Sequence, residues 1–425
     1  MDRNSSQYRQ CVACLEEHLK PAMGCTEPIA VAYAAALCRE TLGCVPERAQ
    51  VLVSGNIIKN AMGVKVPRSG GRRGIDVACA IGLVAGKADR KLEVLAEVTP
   101  DQLEQADMYL AGNAVSVDLK ENARLFDIEV TGSAGAHTAC VRLADHHTNV
   151  VSIRLDGREL LQGTDMLGEE SLDSDENLSM EAIYDFAVSC DLEDVRDVIL
   201  RQVRENMAIA REGLHGAWGA EVGRTVLDTY GDGDVRVRAR ALAAAGSDAR
   251  MAGCEMPVII NSGSGNQGIT VSVPVAVYAE HLGVSQEVMI RALVLSNLIA
   301  IHEKSSIGCL SAYCGAISAG CASGAGIAFL YGADLGVIEK TVVNSLAILS
   351  GTICDGAKPS CAAKIASAVD AAILSCEMAF RGRGFRGGEG IVKKGVEPTI
   401  ASIGRLARDG MRSTDEEILR IMISR

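Results

Sequence analysis

Aromatic residues are scarce in this 425-residue chain: Phe, Tyr and Trp together make up 3% of it, with one tryptophan. Platforms on which nucleic-acid bases could stack are therefore missing. The core has to be built from small and aliphatic side chains, in keeping with 44 glycines. Blocks of Lys and Arg are absent too, and a formal net charge of -12 opposes binding to a polyanion, so nucleic acid is not an expected partner. RGRGFRGG at 381–388 is basic and glycine-rich, but so short a stretch in an acidic chain reads as a loop. The first residues, MDRNSSQYRQCVACLEEHLK, lack the basic-then-apolar order of a secretory signal, which predicts a cytoplasmic location. Ile307 to Ala333 is uncharged over a length that could cross a bilayer. It is dominated by Ala, Gly, Ser and Cys and has no companion span, so it predicts a buried helix pair and no membrane contact.

Cysteine, by contrast, is plentiful: 15 residues, an odd number. In a long chain without a secretory signal this argues for free thiols and metal ligands over a disulfide framework. Residues 1 to about 90 read as helical; Thr26 is the expected N-cap of an alanine-rich helix with Pro28 in its first turn and Gly43 as its stop. Alternating, β-branched segments follow, namely LEVLAEV, AVSVDL, LFDIEV, HTACVRLA and NVVSIRL, with a helix expected over Pro100 to Leu110. From about 178 helical periodicity returns and persists. The predicted fold is a mainly α catalytic domain, discontinuous over 1–90 and 178–425, carrying an inserted small α+β domain at 91–165 and an acidic linker at 166–177.

Cys354 and Cys361 bracket a segment that Gly356 and Pro359 prevent from being helical, and Ser360 can cap a helix opening at Cys361. That helix end would favour a thiolate. Cys309, after Ser305, Ser306 and Gly308, can open another helix among small neighbours. The spacing is equally compatible with three small buried thiols. Cys25 beside Thr26 is either a helix-end thiolate suited to act as a base or an inert buried thiol. NSGSGNQG (261–268) offers Ser262, Ser264, Asn266 and Gln267 as a carboxylate cradle, or is a plain turn; it lacks the Gly-Lys-Ser/Thr ending of a phosphate loop. Asn56, Lys59 and Asn60 share one face if helical and are candidates for the substrate's charged ends. His302 and Lys304 either line the same pocket or form a solvated helix end. Cys11 and Cys14 read as one helix face. His146 and His147 fall in a predicted hairpin turn, where solvent exposure is expected.

Taken together, GCTEPIA (24–30), SGNIIKNA (54–61), NSGSGNQG, HEKSSIGC (302–309) and CDGAKPSC (354–361) resemble the L-cysteine desulfidase family over nearly the whole chain. That family is related to the iron-sulfur L-serine dehydratases, whose α-type catalytic region is helical. The resemblance implies a 4Fe-4S cluster on Cys309, Cys354 and Cys361, with an open iron acting as a Lewis acid on the leaving group. It also implies Cys25 as the base that removes the Cα proton. The expected reaction is β-elimination of L-cysteine to pyruvate, ammonia and hydrogen sulfide, on a small amino-acid substrate. L-Serine dehydration is the alternative; the closer spacing of the last two cysteines and the ending Ile-Ser-Arg, where some serine dehydratases end in a cysteine, favour the desulfidase branch. Pyridoxal phosphate is not expected, although Lys59, Lys304, Lys358 and Lys364 could each form a Schiff base. From a different class, the three cysteines with Asp355 or a histidine could close a structural zinc site in a non-catalytic binding protein. A homodimer is the expected assembly.

Overall fold

The computed structural model describes residues 1–162, 178–308 and 311–423. The expected acidic linker at 166–177 and Cys309 lie outside the described residues.

Helix α1 (Ser6–His18) leads through the short strand β1 (Pro21–Met23) to α2 (Thr26–Leu42), β2 (Arg48–Val53), α3 (Gly55–Ala61), α4 (Ile75–Ala85) and α5 (Pro100–Ala111). Strands β3 (Val115–Leu119), β4 (Asp127–Ala134), β5 (His137–Ala144), β6 (Val150–Leu155) and β7 (Arg158–Gln162) follow. The second half is helical: α6 (Met180–Ser189), α7 (Arg196–His215), α8 (Val222–Tyr230) and α9 (Val235–Met251), then after β8 (Pro257–Ile259) α10 (Gly265–Leu282), α11 (Gln286–Ile307), α12 (Gly315–Leu330), α13 (Leu335–Leu349), α14 (Cys361–Phe380), α15 (Val396–Arg405) and α16 (Arg412–Ile423).

Six strands form one sheet in the order β3-β2-β4-β5-β6-β7, parallel between β2 and β3 and antiparallel elsewhere. Helix α2 lies against β4 and β5, and α4 fits so closely on α2 that a Cβ at Gly82 would fall 2.4 Å from the Ala32 carbonyl oxygen. Two expectations change here. Residues 48–53, expected within a helical stretch, supply a strand between β3 and β4, because Ala49, Val51 and Val53 alternate inward. LEVLAEV (92–98), expected as a strand, begins inside a 3₁₀ turn (Ala88–Glu93) in which Lys91 has φ 50°. Leu92, Val94 and Leu95 are buried, and the turn meets α2 and β1, so side-chain burial without ladder pairing produced the alternating pattern. The sheet therefore draws a strand and its covering helices from before residue 90.

Helix α12 packs against α10, α11, α13 and α14, and its small residues set the spacing. A Cβ at Gly320 or Gly324 would lie 2.7 or 2.9 Å from the methyl of Ala368 or Ala372 on α14. The uncharged run 307–333 thus places a single buried helix, α12, at the centre of the helical layer. Among the described residues no helix is long and apolar enough to cross a membrane. The β1–β8 ribbon joins the two halves, pairing Pro21 with Ile259 and Met23 with Pro257, and so sets the entrance to α2 beside the 261–268 segment.

Asp127 anchors the start of β4. Its fully buried carboxylate accepts from Arg142 Nε (3.0 Å) and Nη2 (2.7 Å), Lys120 Nζ (3.0 Å) and the Arg124 amide (3.2 Å). Burial alone would raise its pKa, but these donors outweigh burial and hold it below the usual carboxylate value. A carboxylate lowered in the folded state adds stability that is complete above its unfolded pKa, about 4, and is lost as pH falls through the folded value. Asp127→Asn is expected to cost ~3–5 kcal/mol at pH 7. Urea denaturation should also show the wild type, but not the variant, losing this increment below about pH 4.

Candidate active site

Four helices begin at the walls of one cavity of about 110 Å³: α2 with Thr26, α10 with Asn266, α12 with Gly315 and α14 with Cys361. At α10 the Ser264 hydroxyl accepts from the Gln267 amide at 3.4 Å. The starts of α2, α12 and α14 carry no side-chain cap. Their N-terminal amides thus point a positive potential toward the same space. Two sequence expectations shift here: the N-cap of α2 is Cys25, with Thr26 the first helical residue, and Ser360 occupies the N-cap of α14 without making the side-chain bond.

Thiols line this cavity. The Cys314 amide donates to the Thr352 carbonyl at 3.1 Å and the Cys354 amide to the Ala312 carbonyl at 2.6 Å, clipping 312–314 to 352–354 and bringing Cys314 and Cys354 into one wall with Cys361. The Cys361 Sγ lies 3.5 Å from the Lys358 amide, which donates to it. Burial pushes the Cys314 thiol up to about 12, reinforced by Cys354, and raises Cys361 as well. Among the described residues no group of three His, Cys, Asp or Glu side chains is already disposed as a metal site. The donor chemistry nevertheless fits an iron-sulfur centre: three soft thiols share one cavity with two buried amide oxygens, Asn266 Oδ1 and Gln267 Oε1, that have no hydrogen-bond partner. A wider hollow of about 400 Å³ against α7 and α10, lined by Val203, Met207, Ala276 and Met289, contains none of the expected residues, so volume alone does not mark the site.

Comparison with known proteins identifies the family. The serine dehydratase alpha chain family matches residues 89–420. The chain is 51% identical to a UPF0597 protein of Desulfitobacterium hafniense over all of this chain and 99% of that protein. It is also 48% identical to one from Lachnoclostridium phytofermentans (98% of this chain, 100% of that protein) and 44% identical to one from Treponema denticola (100% of both). The chain belongs to the serine dehydratase alpha chain family.

In this family member most of the expected site residues come together. Ser262, Ser264, Asn266, Gln267, Asn60, Lys304, Cys354 and Cys361 all line the cavity. Others do not. Asn56 lies outside the lining, and Lys59, on the same short helix, is buried and paired with Asp415 of α16. His302 turns away to Glu397 on α15 at 2.8 Å. Cys25 sits behind the wall, packed with Val64 and Met251 and touching Cys361; burial pushes its thiol up to about 11, against the opposing fields of Arg250 and Lys358. The expected helix-end stabilisation of its thiolate is outweighed by desolvation. Asp355 is engaged by Lys364 at 2.5 Å.

Lining residues that were not foreseen include Cys314, Arg250, His147 and Glu27. His147, expected in a solvated turn, is partly buried with its ring edge-on to Phe126, centroids 4.7 Å apart, and its Cε1 3.1 Å from where a Gly263 Cβ would be. Burial lowers its pKa, which favours the neutral ring.

Gly356 fixes the cysteine loop to α3. Its φ is +90°, and a Cβ there would fall 2.4 Å from the Lys59 carbonyl oxygen and 2.9 Å from Asn60 Oδ1. Gly356→Ala is expected to cost ~2–4 kcal/mol in chemical denaturation, combining positive-φ strain with a backbone clash. Gly382→Ala, at φ +68° with open space around it, should cost only ~1–2 kcal/mol. Equal costs would show that the loop does not depend on this contact.

Proposed function

We propose that the chain is an iron-sulfur lyase that eliminates the β-substituent of a small L-amino acid, with L-cysteine as preferred substrate and pyruvate, ammonia and hydrogen sulfide as products. The observation that carries this reading is the cavity in which Cys314, Cys354 and Cys361 meet the uncapped starts of α2, α12 and α14. Helix starts favour anionic groups, and thiolates around an inorganic cluster are such a group. Cys354 and Cys361 are the ligands expected from the motifs. For the third we assign Cys314, because it lines the cavity at the start of α12; Cys309, implied by the family resemblance, is the alternative that substitution tests.

When bound, a 4Fe-4S cluster held by three protein thiolates supplies an open iron that acts as a Lewis acid toward the β-substituent. The remaining work falls to the chain. Ser264 presents a hydroxyl donor, Ser262, whose proton goes to Asn261 Oδ1, a hydroxyl acceptor, and Asn60, Asn266 and Gln267 present amides, to orient the substrate in a space of about 110 Å³ that suits a small molecule. The family resemblance implies Cys25 as the acceptor of the Cα proton; its thiol, raised by burial behind the cavity wall, would have to lose its own proton before serving as that base. L-Serine dehydration is the second reading, favoured by the description of the matched family.

Anaerobically purified protein is expected to contain iron and acid-labile sulfide, and to release pyruvate and sulfide from L-cysteine faster than pyruvate from L-serine. The opposite preference would establish the second reading, and stoichiometric zinc without iron would replace both. Cys314→Ala, Cys354→Ala and Cys361→Ala should each lose the iron, while Cys309→Ala retains it; the reverse result for 309 and 314 would restore Cys309. Cys25→Ala should retain the cluster while turnover falls by about 10²–10⁴-fold, the range lost with a general base.

A further inference from the structure

Arg250, in the last turn of α9, carries a positive charge into the cavity wall without an ion-pair partner among the described residues. It is 4% exposed, its Nε has no hydrogen-bond partner, and no carboxylate among the described residues forms an ion pair with it. A guanidinium removed from water without a counter-ion is strongly unfavourable. Its position deepens the imbalance. A Cβ at Gly265, the first residue of α10, would fall 2.3 Å from Arg250 Nε and 2.8 Å from Cζ, so the guanidinium lies directly on the positive end of that helix. Two positive groups held in contact call for an anion between them and the cavity. His147 cannot meet this need, since an imidazole is neutral or cationic. Among the described residues lining the cavity, Glu27 is the one carboxylate, and its Oε2 accepts from the Thr26 hydroxyl at 3.2 Å.

We propose that Arg250 is the counter-ion of the substrate's α-carboxylate and Glu27 the partner of its α-ammonium, so that the site selects small zwitterionic α-amino acids by their charged ends and leaves the β-substituent free to face the thiol wall. The ligand's identity rests on the lyase reading; the anchor itself does not. The forked guanidinium suits a carboxylate bidentately, and the neighbouring Ser264 adds a hydroxyl donor.

Arg250→Met decides the matter, because it keeps the bulk and removes the charge. Without ligand, the variant is expected to unfold at or above the wild-type temperature, since an unpaired buried charge has been removed. Binding is read by ligand-induced thermal shift on the anaerobic holoprotein, with L-cysteine, L-serine and their carboxamides as probes. Arg250→Met should weaken the free acids by about 100-fold and the amides by less than about threefold. Arg250→Lys, which keeps charge but not the fork, should weaken the acids by about tenfold, and it decides by the same acid-to-amide comparison if the methionine variant does not fold. Equal weakening of acids and amides, or no weakening of either, overturns the anchor. If the wild type turns over L-cysteine and Arg250→Met still binds it fully, the anchor fails while the lyase stands. If the wild type binds neither amino acid but is stabilised by acetate in an Arg250-dependent way, the lyase reading fails and the anchor stands.

Discussion

The positive ends of four helices and a buried guanidinium share one small cavity, and that electrostatic concentration is stable only with negative charge inside it. The architecture around it keeps those ends together. The β1–β8 ribbon aligns the entrance to α2 with the segment that opens α10, where the Thr26 hydroxyl donates to the Gly263 carbonyl at 3.1 Å. The backbone clip between 312–314 and 352–354 aligns the starts of α12 and α14 through the cysteine loop. Gln267 touches the start of α12, since a Cβ at Gly315 would lie 2.7 Å from its Nε2.

Scarcity of aromatics and abundance of small residues serve the same end. Helices whose contact faces are Ala, Gly and Ser approach closely and have few rotamers to repack, so their ends are placed with little freedom. Gly213 on α7 against Ala245 on α9, Gly82 against Ala32, and Gly320 and Gly324 on α12 against Ala368 and Ala372 on α14 are among these contacts. Bulk in those positions would separate the helix ends from which the cavity is made.

Much of this was legible in the sequence where local chemistry decides. The strands of 114–155 follow from alternation; for Ser262, Ser264, Asn266, Gln267, Cys354 and Cys361, which line the cavity, local chemistry left a plain turn and buried thiols open, and the family resemblance singled them out. What stayed hidden is what distant chain segments decide. Arg250 sits in a helix with Arg236, Arg238 and Arg240, which face solvent or surface partners, so one more arginine reads as part of a solvated face until Gly265 is seen beneath it. His147 reads as a turn residue until Phe126 and Gly263 enclose it. Lys59 lies on the predicted helix, yet Asp415, far along the chain, takes its ammonium group. Cys314 is five positions from the better-advertised Cys309, and only the clip to Thr352 reveals which wall it joins.

The cavity draws its walls from residues as far apart as Thr26, Asn60, His147, Arg250, Ser264, Cys314 and Cys361. Such a site has no local precursor: during synthesis its first and last walls emerge separated by most of the chain, and contacts of that range form late. A cluster of the kind proposed would therefore be received by an already folded molecule rather than serving as a nucleus around which the chain collapses.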